Sequence, residues 1–474
     1  MELDVFNNLA TGFAAAATLQ NLGYALLGAL LGTLIGVLPG IGPIPTIAML
    51  LPITFGLSPL GALIMLAGIY YGAQYGGSTT SILANMPGEA STIVTCIDGH
   101  QMARQGRAGA ALGVAALGSF FAGCVGTVFI AAVVLAHGSV AKAIGMVLVG
   151  ILLGLVGLDT NSSLPRYTFG ISAIWDGIDF LPVVIGMFGI VEIIRNLESR
   201  DLHRVPVGAR LRDLWPSMKD FRDSWPAVLR GTGLGSLLGI LPGGGAVLAA
   251  FASYTLEKKV ARDPSRFGKG AIEGVAGPES ANNAAAQTSF IPLLTLGLPS
   301  NAIMALMMGA MIIQGIEPGS AVMTKRPELF WGVVASMWIG NAMLLVINLP
   351  LIGIWVRLLS VPYRLLYPAI LLFSIIGVYS TNTNVAQLVI TAVFALFGYV
   401  LLRVGCEPAP LVLGFILGPL MEENLRRALV MSRGDPSIFV ERPISATLLG
   451  LTVALVALIV LPQIRKTREK AFQE

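Results

Sequence analysis

The sequence predicts an all-α polytopic membrane protein with about ten to twelve transmembrane helices, further re-entrant or broken helices, and two homologous halves. Three observations support this prediction. The 474 residues are 55% hydrophobic and 12% charged, with a mean hydropathy of +0.79, whereas soluble domains contain about 25% charged residues. No Asp, Glu, Lys, Arg or His occurs from Val5 to Gly88. A segment rich in proline and glycine also occurs twice. A large soluble core would not explain so long an uncharged run.

Apolar windows bounded by charged or turn residues mark the expected helices. In chain order, they lie at 20–38, 44–56, 58–75, 109–136, 140–157, 177–194, 227–241, 245–256, 301–316, 329–352, 366–379, 384–403, 408–421 and 443–462. Several windows are shorter than the roughly 20 residues that cross a bilayer. We therefore expect some of them to be half-spans or re-entrant pieces.

Lysine and arginine identify the loops expected on the cytoplasmic side. The net charge of +4 is spread along the chain and does not indicate nucleic-acid binding. Basic residues gather in the polar stretch 196–225 and in the tail after Leu461. We predict a first transmembrane repeat half at 1–195, a basic cytoplasmic connector at 196–225 and a second repeat half at 226–430. The remaining region, 431–474, is predicted to be a transmembrane helix followed by a cytoplasmic tail.

An internal repeat relates the two halves. "GTLIGVLPGIG" (Gly32–Gly42) matches "GSLLGILPGGG" (Gly235–Gly245) at seven of eleven positions, with an offset of 203 residues. "ILANMPGEA" resembles "LLTLGLPSNA" when Pro87 is set against Pro299, an offset of 212. The first match is strong and the second is weak. Together they predict that both halves contain the same sequence of helices and breaks.

Loop charge bears on the orientation of the halves. The loop "FGLSP" is neutral, whereas its counterpart "EKKVARDPSRFGKG" is basic. The positive-inside rule places the two loops on opposite faces and thus favours inverted repeats. Three windows between Arg107 and Arg195, however, put two basic loops on opposite sides. The sequence leaves the orientation open.

The prolines and glycines of the repeated segment interrupt helices inside the membrane. Proline removes a backbone donor, and glycine permits conformations that other residues avoid. Broken backbone survives at membrane depth only where it is buried in protein or lines a polar cavity. The freed helix ends attract ions. Small residues also allow close helix packing, which is the role expected for Gly28, Gly32, Gly36, Gly235 and Gly239.

Two polar clusters accompany the breaks. "YGGSTTSILANMPGEAST" (Tyr75–Thr92) is typical of a re-entrant hairpin with a broken tip, and "GPESANNAAAQTSFIPLLTLGLPSNA" (Gly277–Ala302) is its partner. Glu279 is predicted to lie in the membrane and Glu89 at its surface. The predicted substrate-binding residues are Gly40, Gly42, Ser78, Thr79, Asn85, Gly243, Gly244, Gly245, Ser300 and Asn301. The predicted cation-binding residues are Thr80, Ser81, Asn282, Asn283, Ser289 and Glu279.

Several motifs of energy conversion and catalysis are missing from the sequence. It contains no GxxxxGK[ST] phosphate loop, no HExxH and no GxSxG. The three cysteines lie far apart, which indicates neither a disulfide framework nor a metal site. We expect no organic cofactor. The expected energy source is an ion gradient, with Na⁺ as the coupling ion and H⁺, carried by Glu279, as the alternative.

The two LPGxG segments and the two polar clusters resemble the large membrane subunit of the tripartite tricarboxylate transporters, the TctA family. The resemblance covers residues 20–430. It implies a bacterial inner-membrane secondary transporter that imports carboxylates, with citrate-like tricarboxylates as the class that names the family. It also implies two partners, a periplasmic solute-binding protein and a small membrane subunit.

Three functions remain to be separated. The first is a cation-coupled importer of carboxylates that works by alternating access. The second is a passive anion channel or pore subunit built from the same breaks. The third is an intramembrane enzyme, for which the sequence shows no nucleophile with a base and no paired metal ligands at membrane depth.

Overall fold

The computed structural model describes residues 2–38, 42–132, 141–159, 164–191, 193–194, 214–241, 245–358, 368, 371–372, 374–376, 378–379, 384–404, 409–442 and 445–446. This part of the chain is helical apart from one short antiparallel ribbon, which confirms the predicted helical class. It divides into two compact units. One contains Met1–His137 and Asp179–Val400, and the other contains Gly138–Ile178 and Leu401–Glu474.

The N-terminal helices are α1 (Glu2–Ala16), α2 (Leu19–Val37), α3 (Pro43–Thr54), α4 (Pro59–Ala84), α5 (Ile93–Met102) and α6 (Ala108–Ala132). A 3₁₀ turn at Ala90–Thr92 leads into α5, and a π-helical turn at Ala103–Arg107 joins α5 to α6. The elements that follow are α7 (Ala141–Gly154), β1 (Gly157–Leu158), β2 (Pro165–Arg166) and α8 (Phe180–Val184). Helix α8 continues as a π-helical turn at Ile185–Ile190.

The rest of the chain forms α9 (Met218–Ile240), α10 (Gly245–Val260), α11 (Glu273–Thr288), α12 (Phe290–Leu296), α13 (Ala302–Ile313), α14 (Ser320–Lys325), α15 (Pro327–Asn348), α16 (Ile352–Leu358), α17 (Val385–Arg403), α18 (Ala409–Met431) and α19 (Ile438–Glu441). Helices α7 and α18 pack together in the second unit. The ribbon of that unit pairs Gly157 with Arg166 and Leu158 with Pro165.

Local capping explains where several helices begin. Thr18 precedes α2 and accepts the N–H of Asn21 at 3.3 Å. Ser58 precedes α4 and accepts the N–H of Gly61 at 3.2 Å, with a proline in the first turn, where its missing donor costs nothing. Ser217 forms a capping box with Asp220 at the start of α9. This box starts α9 well before the predicted window at 227–241, which corrects that boundary.

Helices α4 and α11 form the centre of the first unit. Every residue from Gly61 to Ala84 in α4 is buried, as is every residue from Gly274 to Thr288 in α11. Helix α2 packs against α4, α9 packs against α11, and α6 also packs against α11. The polar residues of both central helices are therefore enclosed by protein.

Glycines bring the α2–α4 and α9–α11 pairs into backbone contact. A Cβ built on each of six glycines would lie only 2.2–2.4 Å from a carbonyl oxygen of the facing helix. The contacts are Gly28 with Met65, Gly32 with Ile69, Gly36 with Ala73, Gly231 with Gly277, Gly235 with Ala281 and Gly239 with Ala285. The glycines of the two pairs differ by 203 residues and their partners by 212. The structure thus confirms the predicted packing role and repeats it at both predicted offsets.

Three described helices are long and apolar enough to cross a membrane, namely Leu19–Val37, the helix running through Ala90–Val128, and Pro327–Asn348. Shorter apolar helices occur at Pro43–Thr54, Phe180–Ile190, Ala302–Ile313 and Val385–Leu401. All of these coincide with or contain predicted windows. The window at 443–462, most of that at 366–379, and the connector as far as residue 213 lie largely or wholly outside the described residues.

Helix α4 is longer than predicted. The window ended at residue 75, but the helix continues through the hydroxyl-rich "YGGSTTSILA" to Ala84. Its serines and threonines remain helical because their hydroxyls donate to main-chain carbonyls of α4 or of neighbouring segments. The interruption of the predicted hairpin is therefore confined to the residues between Ala84 and Ala90.

Candidate transport site

Each half contains a helix that stops, turns and restarts with the same backbone conformation. Helix α4 ends at Asn85 (φ 55°, ψ 37°), and α12 ends at Gly297 (φ 68°, ψ 25°), both left-handed. A proline stands two residues after each of them. The chain restarts at Glu89 (φ −149°, ψ 169°) and at Asn301 (φ −154°, ψ 175°). These positions are related by the offset of 212, so the weak sequence match corresponds to a repeated structure.

The restart residues cap the helices that follow them. The Asn301 side chain accepts the N–H of Met304 at 3.0 Å. The Glu89 side chain accepts the N–H of Thr92, and the Thr92 hydroxyl accepts the N–H of Glu89 at 3.4 Å. Each break is thus followed by a capped helix N-terminus.

The elements around the breaks pack across the two halves. The 3₁₀ turn at Ala90–Thr92 packs against α10 of the second half, and α13 packs against α3 of the first half. Gly42 and Gly245, which begin α3 and α10, have φ values of +64° and +49°, a region that favours glycine. A Cβ on Gly245 would lie 3.5 Å from the Asn301 side chain. The predicted ligands Gly40, Gly243 and Gly244 lie outside the described residues.

The four hydroxyl residues of α4 have different partners. Thr80 donates to the Val37 carbonyl at 2.8 Å, and Ser81 donates to the Thr92 carbonyl at 2.9 Å. These two predicted cation ligands tie the ends of neighbouring elements to α4. Thr79 donates to Tyr75 within the helix at 3.3 Å. Ser78 donates to Gln74 at 2.9 Å and also to Glu279.

Glu279 lies in the middle of α11 and is 1% exposed. Its two carboxylate oxygens accept hydrogen bonds from the hydroxyls of Ser78 in α4 and Thr95 in α5. Among the described residues, no Lys or Arg forms an ion pair with it. A buried carboxylate of the second half is therefore held by two hydroxyls of the first. This position agrees with the prediction that Glu279 lies in the membrane.

The other predicted residues of the second half are also buried around this point. Asn283 donates to the Ser119 hydroxyl at 2.7 Å and to the Glu279 carbonyl at 3.0 Å. Ser289 donates to the Ala286 carbonyl at 2.7 Å, and Ser300 donates to the Ser289 carbonyl at 3.3 Å. The sequence-predicted ligands among the described residues thus lie along α4, α11 and the two broken tips. Their roles as substrate or cation ligands remain predictions.

Several buried polar atoms near the tips lack a partner in the described part of the chain. Neither end of the Asn282 amide is bonded, and the Asn301 amide nitrogen is also unpaired. The Asn282 side chain lies near that of Glu89, and the Tyr70 hydroxyl lies near Ser289 and Asn301. An unsatisfied buried polar group costs about 1–3 kcal/mol. Such groups indicate a place where a ligand or water completes the hydrogen bonding.

The prediction that Glu89 lies at the surface is wrong. Its side chain is half-buried and accepts a hydrogen bond from Ser91, whose hydroxyl also donates to Gln74 in α4 at 2.9 Å. The reason is that the break is a short turn enclosed by α4, α10 and α11. The sequence signal for this location was the position of Glu89 at the end of the uncharged run.

Sequence reasoning also missed Asp98 in α5. One of its oxygens accepts three backbone N–H groups, from Gly268 (2.9 Å), Gly270 (2.8 Å) and Ala271 (2.8 Å). The other accepts the Tyr254 hydroxyl at 2.9 Å. Asp98 is fully buried and fixes the loop that leads into α11. A lone aspartate three residues after Thr95 gave a weak signal, but its partners are more than 150 residues away.

The electrostatic balance of this centre is negative. Glu89, Glu279 and Asp98 contribute carboxylates, and no described Lys or Arg forms an ion pair with them. The nearby Arg230 is bound to Glu257 at 2.6 and 2.9 Å. No group of three His, Cys, Asp or Glu side chains within the described residues is arranged to hold a metal ion. The arrangement suits monovalent cations or protons near Glu279.

Comparison with known proteins identifies related sequences. A family model described as "Tripartite tricarboxylate transporter TctA family" matches residues 22–135 and 127–413. An Agrobacterium vitis protein described as "Uncharacterized 52.8 kDa protein in TAR-I ttuC' 3'region" is 55% identical over 500 aligned residues, covering 100% of this chain and 99% of that protein. A second, described as "Uncharacterized protein in TAR-II ttuC' 3'region" from the same organism, is 62% identical over 240 residues, covering 51% of this chain and 99% of that protein. No solved structure matches the chain.

Proposed function

Because this chain belongs to the tripartite tricarboxylate transporter TctA family, we propose that it imports carboxylate anions by Na⁺-coupled alternating access. Membership makes it a membrane-embedded transporter subunit rather than an enzyme. Citrate-like tricarboxylates are the proposed substrate class. The proposal extends the family assignment to a driving ion, a mechanism and a set of residues.

The observation that carries the proposal is the position of Glu279. This carboxylate belongs to the second half, and the hydroxyls that bind it belong to the first. A cation or proton that reaches Glu279 changes the charge at the contact between the halves. In secondary transporters, such midplane contacts between repeats are where ion binding is converted into motion. An ionisable residue inside the membrane is accordingly a functional candidate.

Features next to the broken tips support the binding of an anion. Helices α10 and α13 begin at Gly245 and Asn301, which are neighbours. Helix N-termini attract negative charge. The unpaired amide nitrogens of Asn282 and Asn301 supply donors of the kind that a carboxylate accepts. Since the centre itself is negative, a co-bound cation is needed before a multiply charged anion can enter.

The proposed setting is a complete tripartite system. A periplasmic solute-binding protein delivers the carboxylate, and a small membrane subunit assembles with this chain. The location is the bacterial inner membrane, with the C-terminus in the cytoplasm. Family membership supports this assembly, and the basic tail supports the orientation.

Uptake by the reconstituted three-component system tests the proposal. We expect uptake of di- or tricarboxylates to require the binding protein and to stop when Na⁺ is replaced by choline at fixed pH. Dependence on pH but not on Na⁺ would replace Na⁺ with H⁺.

Counterflow in the same vesicles separates a carrier from a passive anion channel. A carrier exchanges labelled for unlabelled carboxylate without an imposed ion gradient. Vesicles that release carboxylate freely and show no exchange would identify a channel and contradict alternating access.

A further inference from the structure

A small polar cavity lies next to the hydroxyl that holds Glu279. Its volume is about 10 Å³, which is about the space needed for one water-sized particle. Helices α4, α6 and α15 and the residue after α15 enclose it. The lining residues are Tyr75, Ser78, Thr79, Leu112, Ala115, Ala116, Ser119, Asn348 and Leu349.

Two buried oxygens that line this cavity have no hydrogen-bond partner in the described structure. They are the Tyr75 hydroxyl and the amide oxygen of Asn348, on side chains that are 3% and 4% exposed. The amide nitrogen of Asn348 donates to the Leu344 carbonyl at 2.9 Å and to the Thr33 hydroxyl at 3.4 Å. Since the nitrogen is occupied, the oxygen remains as the acceptor. Two orphaned oxygens at one cavity indicate that something donates to them or binds them there.

The charge behind the cavity decides the sign of its occupant. Ser78 lines the cavity and donates its hydroxyl to the Glu279 carboxylate. Ser119 also lines it, accepts the Asn283 amide at 2.7 Å and approaches the Glu279 carbonyl at 3.5 Å. An anion would be repelled by this carboxylate, whereas a small cation would be stabilised in the low-dielectric interior. Oxygen ligands are those that hard cations prefer.

We propose that this cavity is a Na⁺ site formed by oxygens of Tyr75, Ser78, Thr79, Ser119 and Asn348. Glu279 supplies the compensating charge through Ser78. The assignment rests on the proposed cation coupling and gives it a location, and Tyr75, Ser119 and Asn348 are ligands beyond those that the sequence predicts. Because Asn348 belongs to α15 and Ser119 to α6, an ion bound here connects both helices to the α4–α11 centre.

The experiment measures Na⁺-dependent thermal stabilisation of the detergent-solubilised, full-length chain, with choline replacing Na⁺ at constant pH and ionic strength. The chain offers two matched pairs of variants. Tyr75→Phe removes a hydroxyl at the cavity, whereas Tyr71→Phe removes another unpaired buried hydroxyl one helical turn earlier. Asn348→Leu removes the cavity amide, whereas Asn341→Leu removes a buried amide of α15 that also has an unpaired oxygen and donates to the carbonyl four residues earlier, at 2.9 Å.

We expect Na⁺ to stabilise the unmodified chain. Tyr75→Phe and Asn348→Leu should raise the half-saturating Na⁺ concentration by about tenfold, the equivalent of roughly 1.4 kcal/mol. Tyr71→Phe and Asn341→Leu should leave it unchanged. Equal stability in Na⁺ and choline, or equal effects within each pair, would overturn the site. If Asn348→Leu does not fold, the nearly isosteric Tyr75→Phe pair decides the question alone.

Uptake by the complete reconstituted system distinguishes failure of this site from failure of the proposed function. Na⁺-dependent uptake with an unchanged Na⁺ requirement in Tyr75→Phe would remove the site and leave the function. Absence of carboxylate uptake by the unmodified system would remove the function, whatever Na⁺ does to stability.

Discussion

The two broken hairpins of the first unit share a backbone and differ in chemistry. The first consists of α4, its tip and α5, and the second of α11, α12, their tip and α13. Both have a left-handed helix end, a proline two residues later and a capping residue two residues after that. Both receive the glycine ridge of a preceding helix at equivalent carbonyls. The repeat therefore sets the scaffold of the site.

The polar groups are distributed unequally on this scaffold. At positions related by 212 residues, the first hairpin has Ala67, Gly77, Gly88 and Glu89, and the second has Glu279, Ser289, Ser300 and Asn301. A Cβ on Gly88 would lie 2.5 Å from the Cα of Gly77, whereas Ser300 donates to the Ser289 carbonyl at their counterparts. Two equivalent frames thus place one carboxylate in the helix and the other at the tip. The following variants test which features belong to the frame and which to the transport chemistry.

Replacing Glu279 should have the largest effect, because its first-half counterpart is the apolar Ala67 and cannot substitute for it. We expect Glu279→Gln to reduce Na⁺-driven uptake about 100-fold, which corresponds to roughly 2.7 kcal/mol. The charge is lost while the shape and one hydrogen-bond acceptor remain. The matched control is Glu273→Gln at the start of the same helix, where the carboxylate pairs with the exposed Arg266. That variant should retain uptake within about fivefold. Similar uptake by both variants would contradict a special role for Glu279.

The Asp98 contact is the next largest, and it ties the first hairpin to the loop before the second. Asp98→Ala leaves three backbone N–H groups and one hydroxyl without their acceptor. We expect a loss of about 3 kcal/mol or more in stability, at about 1–3 kcal/mol for each unsatisfied group. The apparent melting temperature of the detergent-solubilised protein measures this loss. Asp98→Asn keeps an oxygen for the three N–H groups and should fall between the wild type and Asp98→Ala. An unchanged melting temperature in Asp98→Ala would show that the loop is held by other contacts.

The sequence predicted the helical class, most helix positions and the glycine ridges because these depend on local composition and periodicity. It located the break after α4 near Pro87 and placed Glu279 inside the membrane. It could not locate Glu89 correctly, because the burial of a short turn depends on which helices enclose it. It missed Asp98 and the orphaned oxygens of Tyr75 and Asn348 for the same reason. These roles arise from contacts between residues far apart in the chain.

The glycine ridges test whether the two frames are energetically equivalent. Gly36→Ala and Gly239→Ala would place a methyl group 2.3 and 2.4 Å from the carbonyls of Ala73 and Ala285. Both should destabilise the protein by about 1–3 kcal/mol through overpacking, and by similar amounts. Gly233→Ala in α9 is the control, since a Cβ there meets no atom within 4 Å. It should be neutral or stabilising by up to about 1 kcal/mol, because alanine favours helix. Loss of stability from only one ridge variant would show that the two frames differ in rigidity.

The smallest effect is expected where the tips exchange capping residues. Glu89 and Asn301 both accept the N–H three residues ahead, so Glu89→Asn gives the first tip the capping residue of the second. Asparagine is among the best N-caps, and removing a cap costs about 1 kcal/mol. We therefore expect Glu89→Asn to change stability by less than about 0.5 kcal/mol, and Glu89→Ala and Asn301→Ala to lose about 1 kcal/mol each. Thermal unfolding of the four proteins side by side makes this comparison. If Glu89→Asn is as unstable as Glu89→Ala, the carboxylate contributes more than a cap. The bond from Ser91 would then account for the difference, since asparagine at position 89 loses the charge that strengthens it.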